Sequence, residues 1–153
     1  MKFLEHKIPP PVVGLGIWAL MWTLASFAMP LDIPFGVRLG IGLALVVAGA
    51  GIAIAGVVSF RRAKTTVNPL QPEKASSLVS SGLFQVTRNP MYLGMATALL
   101  GWAAYLASWP ALLGVALFVL YINRFQIAPE ERVMASLFGA DYAAYKEKVR
   151  RWI

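Results

Sequence analysis

An all-helical, multi-pass membrane protein of about four spans is the fold class this sequence predicts, and three observations predict it. The composition is too apolar for an ordinary soluble domain: 58% of the 153 residues are hydrophobic, 14% are charged and the mean hydropathy is +0.64. The apolar residues gather into stretches near the roughly 20 residues that cross a bilayer as helix. The charges lie between the stretches, with the basic ones concentrated on alternate connections.

The first stretch, Pro11 to Met29, follows Lys2 and Lys7 and so has the outline of a signal peptide. No small-residue cleavage pattern follows it, because Met29-Pro30-Leu31-Asp32 leads directly into the next helix, and retention in the mature chain is expected. The second stretch, Val37 to Phe60, repeats Gly36, Gly40, Ala44 and Ala48 at every fourth position, with Gly56 in the same register. A stripe of small residues lets another helix approach closely in lipid, which predicts tight packing or a homodimer through this face. The nearby "GIG" and "GAG" follow no strand and carry no dinucleotide reading.

From Arg61 to Thr87 the chain is polar and punctuated by Pro69, Pro72 and Gly82. Its apolar pairs, Leu78-Val79 and Leu83-Phe84, suit a segment folded back onto the protein. The third and fourth stretches, Met91 to Ala107 and Pro110 to Ile127, form a predicted helical hairpin turning at Ser108-Trp109-Pro110, where proline starts the new helix. The purely apolar part of the fourth ends at Ile122, after which Asn123, Arg124 and Gln126 place its end at the interface or against protein. Beyond Pro129 an amphipathic tail is expected on the cytoplasmic surface, with Val133, Leu137, Tyr142, Tyr145 and Val149 on one face and Arg150, Arg151 and Trp152 as membrane anchors. Gly139 and Asp141 predict a break within it.

The net charge of +7 is explained by topology rather than by nucleic acid. Basic residues cluster before the first stretch, between the second and third, and after the fourth, whereas the other two connections hold only Asp32 and Arg38. This pattern predicts cytoplasmic termini in what is expected to be a bacterial inner membrane, and it accounts for the basic excess through lipid contact. The chain has no cysteine, which excludes disulfides and thiolate chemistry, and its one histidine, His6, sits in a charged tail as a solvated side chain.

Three polar clusters converge on the cytoplasmic side: Leu78 to Phe84, Arg88 to Tyr92, and Asn123 to Glu131. Folding the hairpin about Trp109 brings Arg88 level with Glu130. Ionisable groups at a membrane boundary are costly unless paired or used. Two readings stay open on the residues alone: an Arg88–Glu130 or Arg124–Glu131 pair with Asn89-Pro90 as a helix start, or a binding site.

The order "LVSSGLFQVTRNPMYLG", hairpin, "PEERVMASLFGADYAAYKEKVRRW" resembles the integral-membrane methyltransferases that include isoprenylcysteine carboxyl methyltransferase and the phospholipid N-methyltransferases. Arg88, Asn89, Pro90 and Tyr92 match the first part of the family pattern, the paired Glu130 and Glu131 the second, and Phe138, Gly139, Tyr142 and Tyr145 the spaced residues downstream. Asn89 stands where prenylcysteine enzymes usually have histidine, which is closer to the bacterial and phospholipid-type members.

The resemblance implies S-adenosylmethionine as cofactor, a lipophilic methyl acceptor such as a prenylcysteine-like carboxylate or a phospholipid amine, and no metal. It further implies that Leu78, Val79, Gly82, Leu83 and Phe84 wall the adenine, that Asn89, Pro90 and Tyr92 line the pocket, and that Arg88 meets the carboxylate. Glu130 takes the ammonium or ribose, with Glu131 interchangeable in that role; Arg88 and Glu130 are the expected catalytic pair, and Asn123 and Arg124 hold the acceptor's polar head. A single membrane domain is expected, with residues 1–60 as a two-helix scaffold and 61–153 as the cofactor-binding half. Two other readings are a reductase, since the hairpin also resembles the C-terminal part of membrane sterol reductases that use a nicotinamide cofactor, and a non-catalytic scaffold.

Overall fold

The computed structural model describes Glu5 and residues 7–64 and 72–153; His6, Pro69 and Lys2 lie outside the described residues. Among the described residues five α-helices follow one another: α1 (Pro10–Ser26), α2 (Phe35–Arg62), α3 (Pro90–Leu106), α4 (Trp109–Ile122) and α5 (Ala128–Lys148). Short 3-10 turns at Pro72–Lys74 and Gly82–Gln85 interrupt the connection from α2 to α3. Among the described residues there is no strand, only an isolated parallel bridge between Thr87 and Arg150.

Among the described residues two rods are long and apolar enough to cross a membrane: α2, with 28 residues, and the 40-residue run from Trp109 to Lys148, whose apolar part is α4 and the turn after it. The helices α1 and α3 have 17 residues each, the short end of a spanning length. Each begins at a proline, which presets φ and lacks the N–H that the first turn leaves unpaired. Apolar residues including Leu15, Trp22, Val47, Ile54, Leu113 and Leu120 point outward from these helices, a surface suited to lipid and not to water.

The α3–α4 hairpin turns where expected. Ala107 adopts a left-handed conformation (φ 48°), Ser108 is extended, and α4 starts at Trp109 with Pro110 in its first turn. Packing of α2 on α3 uses only Gly56 of the expected stripe. The buried face is Gly42, Gly49 and Gly56, and a Cβ on Gly49 would run into the carbonyl oxygen of Gly94 and sit 2.8 Å from Ala98 N. One on Gly101 would lie 2.7 Å from the oxygen of Gly42. Gly36, Gly40, Ala44 and Ala48 are exposed, and space beside Gly36 and Gly40 is open. The spacing explains the difference: a seven-residue repeat stays on one face of nearly straight packed helices, whereas a four-residue repeat drifts around the axis.

Two apolar clusters result. One lies between α1, α3 and α4 and contains Met21, Leu99, Ala111, Phe118 and Ile122, with Met21 packed against Gly114. The other joins Val79 and Phe84 of the connection to Tyr142, Tyr145 and Val149, with Phe60, Met134 and Phe138 around it. Thus the segment from Leu78 to Phe84 does fold back onto the protein, as its apolar pairs predict. The tyrosines of α5 turn inward to receive it instead of facing lipid, while Leu137 stays exposed. Gly139 breaks α5 as expected, with φ 48° and ψ −119°.

Candidate functional site

The end of the hairpin opposite its turn carries the polar residues. After Ile122 the helix does not continue regularly: Asn123–Ile127 forms a π-helical turn before α5 begins. A π turn holds one residue more than an α turn, so every side chain beyond it is rotated relative to a regular helix. The expected Arg88–Glu130 pairing is therefore shifted by one position. Arg88 Nη2 donates to Glu131 Oε1 at 2.7 Å, and the Tyr92 hydroxyl donates to Glu130 Oε1. The alternative pair, Arg124 with Glu131, does not form either, since Arg124 lies 3.8 Å from Glu5.

Glu131 holds two arginines. Arg151 grips it as a fork, Nε to Oε1 at 3.1 Å and Nη2 to Oε2 at 2.6 Å, while Arg88 approaches from the other side. Arg88 also donates to the carbonyl oxygens of Val149 and, at 3.3 Å, of Lys146. The chain end is thereby drawn into the site. Arg88 N–H donates to the Arg150 oxygen at 3.0 Å, and Thr87 Oγ1 and Asn89 Nδ2 both donate to the Arg151 oxygen, at 3.2 and 2.9 Å. Trp152 Nε1 donates to Asn123 Oδ1 at 3.1 Å. Arg151 and Trp152 are thus ties within the protein rather than membrane anchors, Arg151 because the partly buried carboxylate of Glu131 needs cations more than the lipid surface does, and Trp152 through Asn123. Asn89 likewise starts α3 without capping it by its side chain.

The two glutamates are held differently. Both lie past the last apolar stretch. Burial pushes the Glu130 carboxyl up to about 8, more than the hydrogen bond from Tyr92 brings it down, and the neighbouring charge of Glu131 adds to the rise. Burial also raises Glu131, but the hydrogen bonds and positive charges of Arg151 and Arg88 outweigh it and hold that carboxyl below the usual range. The two neighbouring carboxyls are therefore shifted in opposite directions, Glu130 towards the protonated form and Glu131 towards the carboxylate.

These groups line a cavity with about 840 Å³ of empty space, the open solvent at its mouth included. Its polar side is Arg88, Asn89, Glu130 and Glu131; the rest of the wall includes Ser77, Leu78, Val79, Phe84, Phe60, Pro90, Tyr92, Ile127, Met134, Tyr142 and Tyr145. Arg88 Nε is buried on it with no hydrogen-bond partner. Of the residues expected from sequence, Leu78, Val79, Phe84, Arg88, Asn89, Pro90, Tyr92, Glu130 and Glu131 come together here. Gly82 and Leu83 do not line the cavity: Gly82, at φ 60°, opens the 3-10 turn that presents Phe84. Asn123 and Arg124 also lie off the wall, the first bonded to Trp152 and the second more than half exposed.

A family model described as Phospholipid methyltransferase matches residues 37–141, more than half of the chain. The chain belongs to the phospholipid methyltransferase family. Within this family member the match covers the Arg88 and Glu130-Glu131 segments and stops short of Tyr142 and Tyr145, which line the cavity, and of Arg151, which holds Glu131. A protein of Haemophilus influenzae (strain ATCC 51907 / DSM 11121 / KW20 / Rd), named "Uncharacterized protein", is 51% identical over 63 residues, 41% of this chain and 100% of the relative. No solved structure matches the chain.

Sequence reasoning misses Phe60, Ile127, Met134, Tyr142, Tyr145 and Arg151 as parts of the site. For the tyrosines the signal is present, as helical spacing within the family pattern, but the same spacing describes a face laid on lipid. For Arg151 no local signal distinguishes it from Arg150 beside it.

Proposed function

We propose that this phospholipid methyltransferase family member uses S-adenosylmethionine to methylate a lipophilic acceptor, and that the cavity between Leu78, Arg88 and Glu130 holds the cofactor. The observation that carries the reading is the donor set: one cavity offers a guanidinium with an unpartnered buried Nε, a buried carboxyl, a second carboxylate and apolar walls. The cofactor has a carboxylate, an ammonium, a ribose diol and an apolar-faced adenine, so each part finds a chemical counterpart. When bound it supplies an electrophilic methyl group on a sulfonium centre.

The residues divide the work by what they already hold. Glu131 is occupied by Arg151 and Arg88, which supports assigning the cofactor's ammonium or ribose to Glu130. Arg88 suits the carboxylate through its free Nε. Leu78, Val79 and Phe84 suit the adenine, with Tyr142 and Tyr145 excluding water from the other side. Methyl transfer by direct displacement needs alignment and dryness more than a protein nucleophile, so the lack of cysteine is no obstacle.

The acceptor is a phospholipid amine or a prenylcysteine-like carboxylate entering from the bilayer. Multi-pass insertion with the cavity on the cytoplasmic side of a bacterial inner membrane completes the reading, supported by Arg61, Arg62 and Lys64 at the same end of α2 as Phe60. Residues 1–60 then act mainly as scaffold, with Phe60 at the border of the catalytic half.

Calorimetric titration with S-adenosylhomocysteine tests this. The parent in detergent is expected to bind, and folded Arg88→Ala and Glu130→Gln variants to bind at least about tenfold more weakly. Absence of binding by folded parent in both detergent and lipid nanodiscs overturns the reading; binding of a reduced nicotinamide cofactor in its place would favour a reductase.

A further inference from the structure

Two tyrosines of α5, beyond its break at Gly139, stand on the wall of the Arg88 cavity, and their hydroxyls are used differently. The Tyr145 hydroxyl donates to the Phe84 carbonyl oxygen at 2.6 Å, which holds the connection against α5. The Tyr142 hydroxyl has no partner among the described residues, although the residue is only 5% exposed. Unpaired side-chain atoms sealed from solvent are, among the described residues, Arg38 Nε, Arg88 Nε, Ser108 Oγ, Tyr121 Oη and Gln126 Oε1. The Tyr142 oxygen is not one of them, so this hydroxyl is unpartnered and still reachable.

Its ring is fixed where it stands. It packs with Val79, Phe84, Tyr145 and Val149, and Lys146 Nζ lies 5.8 Å from its centre. Burial pushes the hydroxyl up to about 12, Glu131 adds to the rise, Arg88 and Arg151 oppose it, and Glu130 acts least of these. The phenol therefore keeps its proton at neutral pH, a neutral donor that feels the Glu131 cluster more than it feels Glu130. Two guanidinium groups on one carboxylate leave that cluster with a surplus of positive charge. An anionic group of a ligand is favoured on this side of the cavity, and an ammonium beside Glu130.

Arg88 alone offers a carboxylate no fork. Its Nη1 donates to the carbonyl oxygens of Val149 and Lys146 and its Nη2 to Glu131, so a carboxylate brought to this side needs a second donor. We infer that Tyr142 is that donor, its hydroxyl bonding to the carboxylate of the bound cofactor, while Tyr145 only supports the wall. The inference rests on the methyl-transfer reading above and adds to it the residue that recognises the amino-acid end of the cofactor.

Calorimetric titration of the full chain with S-adenosylhomocysteine and with its decarboxylated analogue, which keeps the adenosine, the sulfur and the ammonium, tests it. The parent is expected to hold S-adenosylhomocysteine at least about tenfold more tightly than the analogue. Tyr142→Phe should weaken S-adenosylhomocysteine about tenfold and the analogue less than about twofold, whereas Tyr145→Phe, which frees Phe84, should weaken both alike. The Tm of unliganded Tyr142→Phe should match or exceed that of the parent, because the folded protein loses no bond, a result that a structural role would not give. Parental affinity of Tyr142→Phe for S-adenosylhomocysteine, or equal weakening of both ligands, overturns the assignment and leaves the methyl-transfer reading standing. Failure of Tyr142→Phe to fold would make the hydroxyl structural and overturns the assignment as well. Independently of any variant, equal affinity of the parent for the two ligands overturns it, and binding of neither ligand by folded parent overturns both the assignment and the reading beneath it.

Discussion

Tyr92 and Glu130 meet across the cavity, the first from the opening turn of α3 and the second from the opening turn of α5, with the phenol hydroxyl donating to Oε1. The contact joins two helices separated in sequence by the whole hairpin, and it sits beside an ion cluster that uses the other glutamate. Its consequences are measurable.

The first concerns pH. With the Glu130 carboxyl raised from 4.5 to about 8 in the folded protein, the folded state binds the proton more tightly than the unfolded chain. The stability this contributes is complete below about pH 4.5 and is lost as pH rises towards 8. Thermal unfolding in detergent should therefore show Tm falling by several degrees between pH 5 and pH 8, and Glu130→Gln should flatten that slope while keeping an acceptor for Tyr92. A parent and variant with the same slope would show that Glu130 is ionised throughout.

Glu131 behaves oppositely, since its carboxyl is held down by Arg151 and Arg88. Its contribution is present above the unfolded value and is lost only as pH falls through the lower folded one. Removing Arg88, whose side chain is 11% exposed, leaves a partly buried carboxylate with one partner and should cost about 2–4 kcal/mol in chemical unfolding. Because Arg88 also binds the carbonyls of Lys146 and Val149, Arg88→Ala should speed tryptic cleavage after Lys148, Arg150 and Arg151. Cleavage at the parental rate would separate the ion pair from the docking of the chain end.

Deleting Arg150 to Ile153 removes the Thr87–Arg150 bridge, the Arg151 fork and the Trp152–Asn123 bond together. Helix content by circular dichroism should be nearly unchanged, because none of these residues is helical. Binding of S-adenosylhomocysteine should fall at least about tenfold, since Arg88 and Glu131 lose the residues that orient them. Full affinity in the truncated chain would mean that the cavity assembles without its end.

The glycines of α2 offer a paired test. Gly49→Ala would press a methyl group into the Gly94 carbonyl and should destabilise by about 1–3 kcal/mol, whereas Gly51→Ala, next to open space, should be neutral or slightly stabilising. The comparison is made by unfolding in mixed detergent, and equal effects at both positions would show that α2 and α3 are not in close contact.

Composition and local pattern were enough to read helices, their ends at Pro90, Pro110 and Gly139, the turn at Ser108, and the gathering of Leu78, Arg88 and Glu130 at one end. These follow from properties each segment carries alone: apolar length, proline's fixed φ, glycine's tolerance of a positive one. The stripe on α2 shows the limit. Gly36 and Gly40 are as small as Gly42 and Gly49, and only the partner helix, with Gly94 and Gly101 at matching heights, decides which face is used.

What the tertiary structure alone decided is pairing. The π turn at Asn123–Ile127 carries no signature in its own residues, yet by holding one extra residue it gives Arg88 to Glu131 and leaves Glu130 to Tyr92. Arg151 likewise looks like any basic residue of an amphipathic tail until the chain end returns to Thr87. Sequence fixes local preference, but the energy of a buried carboxylate depends on which charges arrive beside it, and that is set by contacts between segments far apart in the chain.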